Sequence, residues 1–323
     1  MHSISQLQSL INQAIADSRY PPTPKELYEP LSYLMGLGGK RMRPVSLLMA
    51  CNLFTDDVAK AVKPALAIEV FHNFTLMHDD IMDNAPLRRG KTTVQNKWNN
   101  NVAILSGDVM LVEAYKLIMQ VELAVLPDVL NIFNDTAVGV CEGQQIDMNF
   151  ENMENVSETD YLDMIRLKTA VLLAAALKIG ALVGGSSKKD AELLYNFGIN
   201  LGLAFQLHDD ILDVYGDPEK FGKQVGGDII ANKKTFMLIK AKELASEETE
   251  RDLNRWLGIN DKPQGKVIAV TEIYDELNVR QLAESKMAAY AQQALNSLSQ
   301  VSVNEPKKEP LSDFAASLSV REH

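Results

Sequence analysis

Two six-residue strings, HDDIMD at 78–83 and HDDILD at 208–213, each close an apolar run, 71–77 before the first and 201–207 before the second. In each string three aspartates stand at i, i+1 and i+4. At about 100° per residue the first and third share one helix face, a turn apart. Carboxylates are rarely buried without compensation, so two acidic triplets ending apolar helices suggest a cleft rather than bulk surface. Six carboxylates with no lysine or arginine among them repel, and Mg²⁺ or Mn²⁺ is the natural counterion. The expectation is two such faces turned toward each other. Asp79 and Asp83 hold metal from one wall and Asp209 from the other, with Asp80, Asp210 and Asp213 completing the shell through water.

Helical periodicity runs through the rest of the chain. Apolar faces recur at three and four residues over 6–16, 26–36, 43–53, 59–81, 102–121, 129–147, 161–183, 189–214 and 233–256. Pro21-Pro22, 36–39, 84–90, 184–187, 216–218 and Gly226-Gly227 separate them as turns. There is no convincing alternation of β-branched residues, no GxGxxG and no Walker-type loop, so the fold class is all-α. No linker divides the chain, and one domain over residues 1–323 is the simplest organisation. Residues 301–310 read as disordered, ahead of a last short apolar helix at 311–318.

The 323 residues carry 43 acidic against 32 basic side chains, a formal net charge of -11. That balance argues against broad binding to nucleic acid. Cys51 and Cys141 both fall in apolar helical segments and read as buried thiols of a reducing cytoplasm. The N-terminus shows no secretory signal. The most apolar stretch, 169–185, contains Lys178 and is short for a membrane span, so a buried core helix is expected there and no integral membrane segment.

Mg²⁺ fills its octahedron from a few carboxylates, water and substrate phosphates, which makes a pyrophosphate group the expected partner of the acidic strings. The cations agree with this. Lys40, Arg41 and Arg43 follow Gly38-Gly39, Arg88 and Arg89 follow the first string by one loop, Lys168 precedes Thr169, and Lys223 and Lys233 follow the second string. Arginine pairs are efficient phosphate donors. The pattern reads as metal for one diphosphate and bare cations for another.

With GGKRMRP at 38–44, the two aspartate strings, LRRG at 87–90, SGD at 106–108, GQQIDM at 143–148, LKTA at 167–170 and FQLHDDILD at 205–213 in this order, the chain resembles a trans-isoprenyl diphosphate synthase of the polyprenyl synthetase family. The resemblance covers roughly residues 27–234. It implies a single-domain isoprenoid synthase fold whose helices surround a central catalytic cavity, with three Mg²⁺ per site. It assigns Lys40, Arg43, His72 and Arg89 to isopentenyl diphosphate. Arg88, Lys168, Lys223 and Lys233 are carried over to the allylic diphosphate. The implied reaction is ionisation, condensation and elimination. Thr169 and Gln206 would be neutral dipoles near the allylic cation, while His78 and His208 support the helices.

The same resemblance places control of product length below the first acidic string, at Phe74, Phe71 and Thr75. An aromatic ring at the Phe74 position goes with short products in this family. Thr75 is not the second aromatic of some synthases that stop at fifteen carbons, and the first string lacks a two-residue enlargement. Farnesyl and geranylgeranyl diphosphate both stay open, with a lean to geranylgeranyl; Phe71 reads equally as core. The family usually forms homodimers, for which the apolar segments 129–140 and 172–182 are candidates. Two other readings compete with this one. A class I terpene cyclase would carry an Asn/Ser/Glu pattern at its second metal site, and a noncatalytic subunit of a heteromeric prenyl synthase should have lost site residues.

Overall fold

A computed structural model describes residues 2–217, 225–259 and 261–319, and its helices start where the sequence supplies caps. At the head of α1 (Ile4–Asp17) the Ser3 hydroxyl accepts from Gln6 N–H while the Gln6 side chain accepts from Ser3 N–H. Ser157 and Asp160 repeat this capping box at α8 (Glu158–Ile165). The chain forms two compact units: Met1–Asn134, Ala175–Tyr195 and Ser302–Pro310 make the first, and Asp135–Ala174, Asn196–Val301 and Leu311–His323 the second.

The first unit contains α2 (Lys25–Gly36), α3 (Met42–Phe54), α4 (Val62–Met82), α5 (Val94–Lys97), α6 (Asn100–Ile118) and the start of α7 (Leu126–Glu151). Helix α4 lies along α6 and packs on α3. Its residues 64–71 are buried without a break, the mark of a helix enclosed on all sides. The first acidic string is therefore the end of a core helix. Part of α9 (Val171–Gly184) belongs here too, and a Cβ on its Gly184 would lie 2.8 Å from the Cys51 carbonyl oxygen of α3. After α4 comes a hairpin of β1 (Leu87–Arg88) and β2 (Lys91–Thr92), turned by Arg89 at φ 53° and Gly90 at φ 72°.

The second unit is built on the C-terminal half of α10 (Lys188–Tyr215), which ends in the second acidic string. Around it lie α8, α11 (Gly227–Ile230), α12 (Phe236–Leu244), α13 (Glu247–Leu257), α14 (Pro263–Glu276) and α15 (Val279–Ser299). Phe150, Tyr161, Leu207, Ile211, Phe236 and Tyr274 meet in its core. The buried Lys266 donates to the Ile230 and Leu257 carbonyls, closing the C-terminal ends of α11 and α13. Between α8 and α9 the residues Arg166–Ala170 form a π-helical turn. Glycines flank it: a Cβ on Gly143 would overlap the Lys168 backbone nitrogen, and one on Gly202 would lie 2.6 Å from Ala170 Cα.

Four expectations need correction. The segment 233–256 is two helices, because Ala245 is extended and Ser246 starts α13 by accepting from Thr249 N–H. Residues 301–310 are not a disordered run: α16 (Glu305–Ser319) starts inside them, with Lys308 buried against Glu305 and Lys307 donating to Leu53 O at 3.3 Å. Cys51 is buried but Cys141 is exposed. The apolar segment 172–182, offered as a dimer surface, is core, with Leu172 and Ile179 at 3% and 0% exposure. The helical run Glu158–Gly184 is long and apolar enough to cross a membrane, yet 78% of its most apolar window is buried inside the protein, as expected of a core helix.

Candidate active site

In the first unit, Asp79 and Asp83 stand a turn apart at the end of α4, with Asp83 exposed and donating its N–H to Asp79 O. Asp80 turns inward and is 1% exposed. Its Oδ1 accepts from Arg88 Nε at 2.9 Å and Nη2 at 2.5 Å, while Asp79 Oδ2 lies 3.4 Å from Nη2. Burial pushes the Asp80 carboxyl up, against the Arg88 hydrogen bonds that pull it down. The hairpin thus brings Arg88 to the string, where it pairs with Asp80.

The loop before α3 carries the second cluster. Gly38 at φ 80° and Gly39 at φ 131° lead to exposed Lys40 and to Arg41, at φ 51°. A Cβ on Gly39 would lie 2.8 Å from the Arg89 guanidinium, and Arg89 Nη1 donates to Gly38 O. Arg41 is buried and ion-pairs with Glu69, which also accepts from Asn73. Arg43 Nη1 and His72 Nε2 are 3.2 Å apart. Burial holds the His72 imidazole well below its usual range, and the guanidiniums of Arg43, Arg89, Arg88 and Arg41 lower it further. His72 is therefore a neutral acceptor in a strongly positive field. Arg89 itself is lowered by burial and by Arg41 and Arg88.

Beneath the acidic string Phe74 meets Phe71 with ring centroids 5.6 Å apart and His78 at 4.8 Å. Phe71 continues to Phe133 at 5.3 Å and is 1% exposed, against 9% for Phe74. Thr75 donates to His72 O at 2.8 Å. His78 is held by the Ile104 carbonyl at 3.1 Å and fits only because position 107 is glycine.

In the second unit Asp209 and Asp213 are partly exposed, and Asp213 Oδ2 accepts from Asp228 N–H at 2.9 Å. Asp210 is 3% exposed. Its Oδ2 accepts from the Tyr161 hydroxyl and from Phe236 N–H, and its Oδ1 from Gln206 Nε2 at 3.2 Å. Burial and the neighbouring Asp228 push Asp210 up to about 8, opposed by these donors. Like Asp80, it is committed inside the protein. Gln206 Oε1 faces Thr169 Oγ1 at 3.4 Å. Lys168 pairs with Asp147 at 2.5 Å, and Lys233 is exposed after α11, its N–H donating to Asp228 O. Lys223 lies outside the described residues.

The two strings thus share one division: the middle aspartate is buried, and the outer two, at i and i+4, are partly or fully exposed. Oxygen donors of this kind suit a hard cation such as Mg²⁺. Among the described residues no group of three His, Cys, Asp or Glu side chains is gathered tightly enough to hold a metal alone. A cation that takes most of its shell from water and phosphate fits such sparse carboxylates. Sequence reasoning passed over Tyr161, Asp147 and Glu69. Only Asp147 carried a signal, as part of GQQIDM.

The polyprenyl synthetase family model matches residues 24–277. The chain belongs to that family. A short-chain isoprenyl diphosphate synthase of Methanothermobacter thermautotrophicus is 36% identical over 100% of this chain and 99% of its own length. A geranylgeranyl diphosphate synthase of Sulfolobus acidocaldarius is 37% identical over 92% of this chain and 91% of its own. A crystal structure of a geranylgeranyl pyrophosphate synthase superimposes with a TM-score of 0.95 at 40% identity, covering 100% of both chains. This polyprenyl synthetase is an enzyme, a short-chain trans-prenyltransferase with the all-α isoprenyl synthase fold, and the cyclase and noncatalytic-subunit readings are not favoured.

Proposed function

We propose that this prenyltransferase adds isopentenyl diphosphate to dimethylallyl, geranyl and farnesyl diphosphate, with geranylgeranyl diphosphate as its main product. The observation that carries the two-substrate reading is the positive field about His72, to which four arginines contribute. Arg41 and Arg88 are paired with Glu69 and Asp80, while Arg43 lies against His72 and Arg89 against the Gly38 carbonyl. Such a cluster suits a diphosphate bound without metal, and Lys40, Arg43, His72 and Arg89 would hold isopentenyl diphosphate there. Arg88, Lys168, Lys223 and Lys233 would serve the allylic diphosphate.

Asp79, Asp83, Asp209 and Asp213 would hold Mg²⁺, three ions in all with Mn²⁺ as a substitute. When bound, that metal supplies Lewis-acid stabilisation to the departing diphosphate. Lysine and arginine side chains add charge where the leaving group becomes negative. The Thr169 and Gln206 oxygens face the allylic cation as dipoles too weakly nucleophilic to trap it. Asp80 and Asp210 act by holding Arg88 and Gln206 rather than by ligating metal. Phe74 limits chain length, with Phe71 as the packed layer behind it.

One family model spanning both units supports residues 1–323 working as one catalytic domain. We place the enzyme in the cytoplasm, as a homodimer. The apolar stripe of Leu105 and Val112 on α6 and Met119 at its C-terminal cap, 58%, 53% and 47% exposed, supports that pairing better than α9. The deciding experiment is condensation of labelled isopentenyl diphosphate with each allylic primer in Mg²⁺, with product chromatography. Geranylgeranyl diphosphate is expected, and no condensation with any primer would overturn the reading.

A further inference from the structure

Tyr161 is one of two tyrosines sealed in the core of the second unit, and neither the metal nor the phosphate roles use it. Its hydroxyl donates to Asp210 Oδ2, which also accepts from Phe236 N–H at 3.4 Å. Two donors on Oδ2 leave Oδ1 for Gln206, whose Nε2 lies 3.2 Å away. The Gln206 amide thus turns its NH₂ to Asp210 and its carbonyl away from it. That carbonyl oxygen stands 3.4 Å from Thr169 Oγ1, on the π-helical turn. Hydrogen bonds from Tyr161 and Gln206 thus converge on Asp210, and Thr169 donates in turn to the Gln206 carbonyl.

We propose that Tyr161 is a positioning residue for the reaction: through Asp210 it locks the Gln206 amide so that its carbonyl oxygen, rather than its NH₂, faces the developing allylic cation. The proposal rests on the cation-stabilising role given to Gln206 above. A free amide could rotate and present its NH₂, whose positive hydrogens would oppose the cation. An Asp210 side chain held in place by two donors removes that freedom before substrate arrives, and so avoids reorganisation in the transition state. Phe at position 161 would keep the ring packing and remove only the donor.

The test is a double-mutant cycle of Tyr161→Phe and Gln206→Met with initial-rate kinetics and thermal melts. Tyr161→Phe is expected to lower kcat roughly 10- to 100-fold, the span of one hydrogen bond to a charged group, with the KM for isopentenyl diphosphate unchanged. In the Gln206→Met background the same change should have little further effect on kcat, since it has no amide left to orient. A wild-type kcat in Tyr161→Phe, or an equal loss in both backgrounds, overturns the proposal. So does undiminished kcat in Gln206→Met, which decides the matter even if Tyr161→Phe does not fold. Wild-type enzyme that condenses no primer would instead remove the functional reading on which the proposal stands.

Discussion

Arg88 grips Asp80 with two nitrogens, Nε at 2.9 Å and Nη2 at 2.5 Å, and reaches the adjacent Asp79 only at 3.4 Å. Neighbouring aspartates of one string therefore have different work. Asp80→Asn is expected to weaken the hairpin anchor and lower stability by about 1–3 kcal/mol, the cost of a spoiled buried hydrogen bond to charge. Asp79→Asn should leave the melting temperature close to wild type while turnover falls about 100-fold or more. Thermal melts beside steady-state rates separate the two; equal melting shifts would refute the division.

The Gly39 backbone at φ 131° and the Arg89 guanidinium 2.8 Å from its absent Cβ give one position two reasons to be glycine. Gly39→Ala is expected to push Arg89 off the Gly38 carbonyl. The KM for isopentenyl diphosphate should rise roughly 10-fold, about the weight of one misplaced charged hydrogen bond, while that for the allylic primer stays within about twofold. A matched rise in both constants would show that the loop does not serve one substrate selectively.

His72 gives a pH dependence with a definite sign. Burial and the arginines hold its folded pKa below the unfolded value of about 6.5. Below that pH the unfolded chain takes up a proton that the native protein refuses, so stability falls with decreasing pH from about 6.5 down to the folded pKa. The slope from this group approaches about 1.4 kcal/mol per pH unit. Above about 6.5 it contributes nothing. His72→Gln retains a neutral acceptor for Arg43 and should remove that slope. Denaturant titrations of both proteins at pH 7 and 5.5 measure it; parallel curves would exclude His72 as the source.

Much of this was legible from the residues, and the exceptions share a cause. Spacing set Asp79 and Asp83 on one face of a helix, and Asp209 and Asp213 on another. It did not show that the middle aspartates are internal, because their partners come from afar: Arg88 from a hairpin, Tyr161 and Phe236 from two other helices. The π-helical turn at Arg166–Ala170 left no mark on the apolar pattern, since the backbones fitting against Gly143 and Gly202 cause it to be seen only in three dimensions. A composition rich in Ser, Asn, Pro and Lys made residues 301–310 look unfolded. Pro306 falls in the first turn of α16, where proline is tolerated, the helix runs on through Pro310, and Lys308 is buried there. The break at Ala245 did have a signal in Ser246, the cap of α13, but continuous periodicity across it concealed the boundary.

The aromatic stack below the first string separates a product-length role from a packing role. Phe71 is enclosed between Phe74 and Phe133, at 5.6 and 5.3 Å, and Phe71→Ala should cost about 3–5 kcal/mol as a cavity in the core. Phe74 is less enclosed and lies on the face of α4 that leads to Asp79 and His78. Phe74→Ala removes the ring against which a growing chain would stop, and its main product is expected to be at least one isoprene unit longer than that of the wild type. The comparison is made by product chromatography at matched turnover, with thermal melts of both variants. Longer products from Phe71→Ala and unchanged products from Phe74→Ala would reverse the assignment, moving the stop one helical turn deeper.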